Sequence, residues 1–185
     1  MNKSFSILAI MLFVCVSFVL AQDKISREKP DFSGNWELDK KESSSVAKSL
    51  DFYTIKISQT GEEIQIHKNF KSGDQTVDYT LVLFTDKRGE KNVVPFGEKP
   101  TEIKSETYWH KDQIYFDYSY FLTNAAYRRN MYYRRNIEKY KLSEDGKTLT
   151  IMYDRRSSTQ VSGDSIPNIK NIPISTKLVF RKADG

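Results

Sequence analysis

The stretch Asp31-Phe32-Ser33-Gly34-Asn35-Trp36-Glu37-Leu38 decides how the rest of the chain is interpreted. Its apolar residues fall on one side of a strict alternation and its polar residues on the other, which is the pattern of a half-buried strand. Gly34 has no Cβ, so a neighbouring backbone or the indole of Trp36 can approach it closely. Trp36 is the type of residue that fills one end of a small core. We therefore predict that this stretch opens an all-β domain.

The same alternation recurs beyond Phe52 in short segments that are separated by turn signals. Thr60-Gly61 and Ser72-Gly73-Asp74 predict turns, and Glu144-Asp145-Gly146-Lys147 predicts a tight hairpin. Eight to ten such segments with hairpin-length links predict sequential antiparallel strands. A sandwich and an up-and-down barrel both fit this pattern, but a closed barrel alone leaves no exposed edge strand.

Two longer connections interrupt this rhythm. The charged, serine-rich segment after the first strand predicts a loop, with a short lid helix from Ser43 to Leu50. The segment Arg156–Pro173 is polar, contains two prolines and predicts a long loop.

The opening stretch resembles a known signature. Phe-x-Gly-x-Trp at positions 32–36 resembles the start of the lipocalin and fatty-acid-binding superfamily, the calycins. More closely, Pro30–Asp39 resembles the start of small secreted bacterial lipocalin-like domains of mostly unknown function. The similarity continues at Leu142–Thr150 and Leu178–Lys182. The resemblance implies an antiparallel up-and-down β-barrel of about eight to ten strands over residues 30–185.

The resemblance also implies how the base of the barrel is closed. A basic residue near the end of the last strand is expected to pack over Trp36, and Arg181 is the matching position, with Lys182 as the alternative. Gly34, Trp36 and Arg181 are therefore predicted to have structural roles.

The first 21 residues predict a signal peptide, with a positive start at Lys3, an apolar run and a small-residue cleavage site. Residues 22–29 are expected to form a flexible leader. The apolar run is short for a membrane span, so no stable span is expected after cleavage. We predict a secreted or periplasmic protein of a bacterial cell envelope. Lipidation at Cys15 is disfavoured because Val14 stands where a small residue is usual.

The residues that familiar enzymes need are missing or badly spaced. Cys15 is the only cysteine, so the mature chain has no thiol nucleophile and no disulfide. His67 and His110 are far apart, which argues against a metal site, and no cofactor is expected. No Gly-x-Ser-x-Gly elbow occurs. We predict no catalytic residues and no enzyme, although isomerase or cyclase chemistry by ordinary polar groups in a barrel stays open.

The charge of the chain excludes little. The formal net charge is +5 and falls by one when Lys3 is removed, which suits solubility and weak attraction to anions but does not call for nucleic acid. We expect a monomer whose partner is a small apolar or anionic ligand.

The stretch Tyr127–Arg135 combines four arginines with three tyrosines. On a strand, Arg129, Tyr133 and Arg135 share one face, and Arg134 lies on the other. If the first face points inward, its arginines are suited to an anionic headgroup. The structural alternative is a solvated hairpin on which tyrosines and arginines pack against each other.

A second aromatic cluster precedes it. Phe116, Tyr118 and Tyr120 share a face, and inward hydroxyls would give an apolar lumen its polar contacts. Filling of the core is the structural alternative.

Together these patterns predict an exported lipocalin-like barrel that binds a small hydrophobic or amphipathic anion. The predicted ligand-binding residues are Tyr118, Tyr120, Arg129, Tyr133 and Arg135. The alternative is a protein-interaction or inhibitor module of the envelope that uses the loops Lys40–Leu50 and Arg156–Pro173. An exposed patch of aromatic and arginine residues at the loop rim would favour the module, and an inward cluster would favour the carrier.

Overall fold

The computed structural model of the protein describes residues 29–95, 100–123, 131–161 and 175–183. The predicted signal peptide, the leader up to residue 28, and Arg129 lie outside the described residues. Within the described ranges, no helix is both long and apolar enough to cross a membrane.

The described chain folds into strands, with one short 3₁₀ helix, Ser45–Ser49, between the first two of them. The helix falls inside the segment for which a lid helix is predicted. The strands are β1 Gly34–Leu38, β2 Phe52–Thr60, β3 Glu63–Ser72, β4 Gln75–Phe84, β5 Asn92–Val94, β6 Thr101–His110, β7 Gln113–Thr123, β8 Met131–Leu142, β9 Thr148–Val161 and β10 Ser175–Lys182.

All pairings are antiparallel, and the sheet has the order β4-β3-β2-β1-β10-β9-β8-β7-β6-β5. Strand β1 lies between β2 and β10 in the sheet. Trp36 is opposite Ile55 of β2 on one side and opposite Lys182 of β10 on the other. Every other neighbour in the sheet is also a neighbour in sequence. The fold is a nearly closed, lipocalin-like up-and-down barrel, and the predicted fold class is confirmed.

Side chains bridge the gap in the barrel wall that lies between β4 and β5. The side-chain amide of Asn92 accepts a hydrogen bond from the Val82 N–H at 2.7 Å and donates one to the Val82 carbonyl at 2.9 Å. The carboxylate of Glu90 accepts the Phe84 N–H at 3.0 Å. Because β5 has only three residues, these side chains satisfy backbone groups that would otherwise be unpaired at an edge.

The end of the barrel that contains Trp36 is filled by apolar side chains. Trp36 is buried, and its indole N–H donates to the Phe32 carbonyl at 3.1 Å. The alternating inward residues of β2, β3 and β4 pack above it, namely Ile55, Ile57, Ile64, Ile66, Leu81 and Leu83. This end is the hydrophobic core of the molecule and has a structural role.

The cation over Trp36 is Lys182, whose Nζ lies 5.5 Å from the centre of the ring. The prediction of Arg181 is wrong, and its alternative is right. Lys182 shares the inward parity of Phe180, whereas Arg181 points outward and donates from Nε to Asp39 at 3.1 Å. Gly34 has a φ of +146°, which favours glycine, and an added Cβ there would lie 2.9 Å from Cε of Lys182.

The boundaries of two strands differ from the prediction. Strand β9 continues to Val161, so the first part of the loop predicted from Arg156 is extended and pairs with β8. The rest of that loop, residues 162–174, lies outside the described residues. Strand β8 begins at Met131, inside the arginine-rich stretch. The arginines and serines in the second half of β9 have weak strand propensities, and the pairing of β9 with β8 outweighs them.

Candidate functional site

A cavity of about 290 Å³ lies in the other half of the barrel, beside the short helix. Three aliphatic residues line it, two of them from the helix segment: Val46, Leu50 and Leu178. Five aromatic residues come from five different strands: Tyr53, Phe70, Tyr79, Tyr118 and Tyr153. The polar lining consists of Asn136, Glu138, Arg155 and Thr176. Apolar walls with a few polar groups are typical of a small-molecule site.

A buried ion pair borders this cavity. Lys68 continues the inward series of Ile64 and Ile66 on β3, and Glu138 shares the inward face of β8 with Tyr140. The Nζ of Lys68 lies 2.6 Å from Oε2 of Glu138, and the two side chains are 0% and 3% exposed. Charges taken out of water are tolerated only when they are paired and hydrogen-bonded, so neither charge is stable here without the other.

Tyrosine hydroxyls complete the hydrogen bonding of the Glu138 carboxylate. Tyr118 donates to Oε1 at 3.1 Å, and Tyr140 donates to Oε2, which also accepts from Lys68. The ammonium of Lys68 lies 5.6 to 5.9 Å from the ring centres of Tyr79, Tyr140 and Tyr153. The charges of the pair are therefore balanced, and both oxygens of the Glu138 carboxylate accept hydrogen bonds.

The protonation states follow from this arrangement. Burial by itself would lower the pKa of Lys68, but attraction to Glu138 and Tyr140 outweighs burial and raises this pKa well above its ordinary value. Burial likewise raises the pKa of Tyr118 and of Tyr140 well above 10. At neutral pH the lysine is a cation and both tyrosines are neutral donors. Lys68 therefore lacks the lowered pKa that a nucleophilic lysine requires.

Arg155 and Asn136 reach the cavity beside a β-bulge. Asn136 pairs with Arg155, whereas Arg135 pairs with Ser157, so Arg156 is an extra residue in β9. Bulges bend a strand and redirect its side chains. Asn136 and Arg155 are half-buried and lie opposite each other on the inner side of the wall. In the described part of the chain, no carboxylate forms an ion pair with Arg155.

The predicted tyrosines lie on the inner side of β7. Tyr118 and Tyr120 are 6% and 8% exposed, and their rings are nearly parallel with centres 6.1 Å apart. Tyr118 lines the cavity and binds Glu138, whereas Tyr120 lies one step beyond it, opposite Arg134. The expected inward hydroxyl is present at Tyr118, but it donates to a protein carboxylate.

The prediction that Arg135 faces the interior of the barrel is wrong. Arg135 lies on the outer face, where Nε and Nη2 donate to Asp117 at 2.9 and 2.6 Å, and its side chain is 52% exposed. The register turns Arg134 inward instead, opposite buried Tyr120, and its Nε is buried without a hydrogen-bond partner among the described residues. Tyr133 belongs to β8, but its side chain lies outside the described part, as does all of Arg129.

Sequence reasoning missed Lys68, Glu138 and Arg155. Each has the parity of buried neighbours: Lys68 that of Ile66, Glu138 that of Tyr140, and Arg155 that of Ile151. In each strand, a charged residue occupies one of the alternate positions that are otherwise apolar. That pattern could have indicated a charged side chain that faces the interior. A search for motifs does not detect it, because the partners are 70 residues apart in the chain.

The histidines are not part of this site. His67 lies on the outer face of β3, where its ring contacts Thr80 at 3.1 Å and Asp78 at 3.4 Å. Among the residues that the structure describes, no group of three or more histidine, cysteine, aspartate or glutamate side chains is placed to hold a metal ion.

The strand order and the inward cavity define a lipocalin-like barrel domain. Solved structures are similar to this chain in fold. One of them is human cRBP IV, which is 16% identical, with a TM-score of 0.48 over 83% of this chain and 99% of that chain. No protein-family model matches the sequence, and no curated protein is similar to it in sequence.

Proposed function

We propose that this protein is an exported carrier or sensor that binds a small amphipathic anion in the cavity beside the short helix. The observation that supports this most directly is Arg155, a cation at the wall of an aromatic cavity that has no carboxylate partner in the described chain. Export is proposed from the signal-peptide pattern of residues 1–21.

The charges of the site favour an anion over a cation. Lys68 and Glu138 neutralise each other at 2.6 Å, so Arg155 supplies the net charge that a ligand meets in the cavity. A guanidinium presents a planar set of donors that matches a carboxylate, and Asn136 adds an amide beside it. A ligand with an acidic group and an apolar body would satisfy both the arginine and the walls.

The ion pair gives the site a fixed floor. The Glu138 carboxylate already accepts hydrogen bonds from Lys68, Tyr118 and Tyr140. A second anion would gain little from this pair, because the charge of Lys68 is already balanced by Glu138. The pair therefore holds the tyrosines in place, while Arg155 binds the acid group of the ligand. A site that is ordered before binding loses less conformational freedom when the ligand enters.

The rival interpretation, an interaction module that acts through its loops, receives less support. It predicts an exposed cluster of aromatic and arginine residues at the rim. In the described part of the chain, four inward tyrosines and an inward arginine line the cavity. Residues 124–130, which include Tyr127, Arg128 and Arg129, and residues 162–174 of the second loop lie outside the described residues.

The test is a calorimetric titration of the purified mature protein with medium-chain and aromatic carboxylates. Arg155→Gln removes the guanidinium and retains much of the side-chain volume. Loss of a charged hydrogen bond is worth about 1.5–3 kcal/mol, so we expect affinity to fall about tenfold to a hundredfold.

Arg135→Gln is the matched control, because the same substitution is made on the outer face, where the arginine contacts Asp117. We expect its affinity to equal that of the unaltered protein. Equal affinities of the Arg155→Gln variant and the unaltered protein, or no binding of any acid, would contradict the proposal. A loss confined to Arg135→Gln would restore the original assignment of that residue.

A further inference from the structure

We infer that the preferred ligand is a small aromatic carboxylic acid, of the size of a single-ring arylalkanoate, and not a long-chain fatty acid. This inference rests on the proposed function, since it specifies the ligand of the same cavity. Three features of the site lead to it: the volume, the kind of side chains in the walls, and the position of the charges.

The volume sets the size of the ligand. A cavity of about 290 Å³ is at the small end of ligand sites in proteins, which span about 300–1,000 Å³, so it suits a small ligand. The cavity cannot deepen, because Lys68 and Tyr140 are completely buried directly beyond Glu138 and the apolar core of β2 to β4 follows. A long acyl chain would have to displace the ion pair or leave its far end in solvent.

The walls favour a ring over a flexible chain. Five of the twelve lining residues are aromatic. Their rings already take the spacings of aromatic contacts, with Tyr53 and Phe70 at 5.1 Å and tilted by 51°. Tyr118 is stacked with Phe116 at 4.6 Å and with Tyr120 at 6.1 Å, so its ring is held in position. A rigid ring meets these faces without losing the rotational freedom that an alkyl chain gives up.

The charges set the orientation of the ligand. The ion pair at the floor has no net charge to attract a carboxylate, whereas Arg155 and Asn136 attract one at the wall. The acid group is therefore directed to Arg155 and the apolar body to the rings. Because these attachment points lie within one small cavity, the spacer between the acid and the ring has to be short.

The experiment compares phenylacetate with octanoate, which have about the same number of non-hydrogen atoms, about ten each. Both are titrated into the isotope-labelled mature protein, and methyl NMR shifts of Leu50 and Leu178 report entry into the cavity. We expect phenylacetate to bind at least about tenfold more tightly and to produce ring-current shifts at Leu178. Palmitate should leave the Leu178 methyl groups unmoved, and neutral 2-phenylethanol should bind more weakly than phenylacetate.

A substitution in the wall separates ring recognition from general affinity. Phe70→Leu should lower the phenylacetate-to-octanoate affinity ratio, whereas Phe121→Leu, which alters an exposed ring outside the cavity, should not change it. Octanoate or palmitate that moves the same methyl groups with equal or higher affinity would overturn the aromatic preference and leave the anion cavity standing. If no acid moves these methyl groups, the proposed function itself fails.

Discussion

Two side chains, Lys68 and Glu138, give the interior of this barrel its chemical character. Each alone would be a buried charge, and each has its position because its strand alternates inward at that residue. Together with Tyr118 and Tyr140 they form a hydrogen-bonded cluster without net charge inside an apolar wall. Because removal of one charge leaves the other buried and unpaired, the members of this cluster are expected to be energetically coupled.

A double-mutant cycle tests this coupling. Lys68→Met leaves the Glu138 carboxylate unpaired, and Glu138→Leu leaves the ammonium unpaired, so each single change should cost about 3–5 kcal/mol. The double variant should be more stable than the sum of the single losses predicts, because no isolated charge remains. The free energy of unfolding in urea provides the measurement. Strict additivity of the two losses would show that the pair does not exist in solution.

Single residues also explain why the sequence predicted some roles and missed others. Alternation identified the inward faces of β2 and β7, including Tyr118 and Tyr120. In a stretch without alternating apolar and polar residues, the sequence does not show which side chains face the interior. A shift of one residue in the strand register would turn every side chain to the opposite face. That is why Lys182 occupies the position expected for Arg181, and why Arg135 faces outward.

Among the structural elements, the gap between β4 and β5 is the least conventional. Strand β5 has three residues, and the side chain of Asn92 makes the two hydrogen bonds to Val82 that a paired strand would make. Most turns around the barrel were predictable from glycine-containing pairs, since these signals are local. The gap was not predictable, because it depends on an amide that reaches a strand ten residues earlier.

Asn92→Leu should therefore weaken this part of the wall. It leaves the N–H and the carbonyl of Val82 without partners, which should cost about 1–3 kcal/mol. Amide hydrogen exchange at Val82 should become faster than in the unaltered protein. Val93→Thr is the control on the same strand, since that side chain is 53% exposed and its replacement should change stability by no more than about 0.5 kcal/mol. Unchanged protection of Val82 in the Asn92→Leu variant would contradict the assigned role.

The short helix between β1 and β2 links the fold to the site. Ala47 is completely buried and anchors it, while Val46 and Leu50 border the cavity. The sequence predicted a helix in this segment but not its contacts, because these depend on strands far along the chain. As a 3₁₀ helix of five residues, it is an element of low intrinsic stability.

The interior of the barrel has an apolar end around Trp36 and a tyrosine-rich end around the cavity. The buried tyrosines predict that the stability of the folded state falls at high pH. Tyr53, Tyr118 and Tyr140 are buried, and burial raises the pKa of each hydroxyl. Above about pH 10 the unfolded chain loses these protons and the folded chain keeps them, so the folded state loses stability as the pH rises.

We expect the free energy of unfolding to be insensitive to these groups below about pH 10. Above it, the free energy should fall by up to about 1.4 kcal/mol per pH unit for each of the three tyrosines. Urea titrations between pH 8 and pH 11, with phenolate absorbance recorded in parallel, provide the measurement. If all tyrosines ionise near pH 10 while the protein stays folded, the buried hydroxyl network is absent.

A crystal structure of the mature protein with phenylacetate bound is the most direct test of anion binding in the cavity. We predict that the carboxylate lies about 3 Å from the guanidinium of Arg155. The ring should lie among Tyr53, Phe70 and Tyr118, and the contact between Lys68 and Glu138 should be intact. An acid bound on the outer surface near Arg135, or a cavity closed by its own side chains in the presence of excess ligand, would contradict the proposed function.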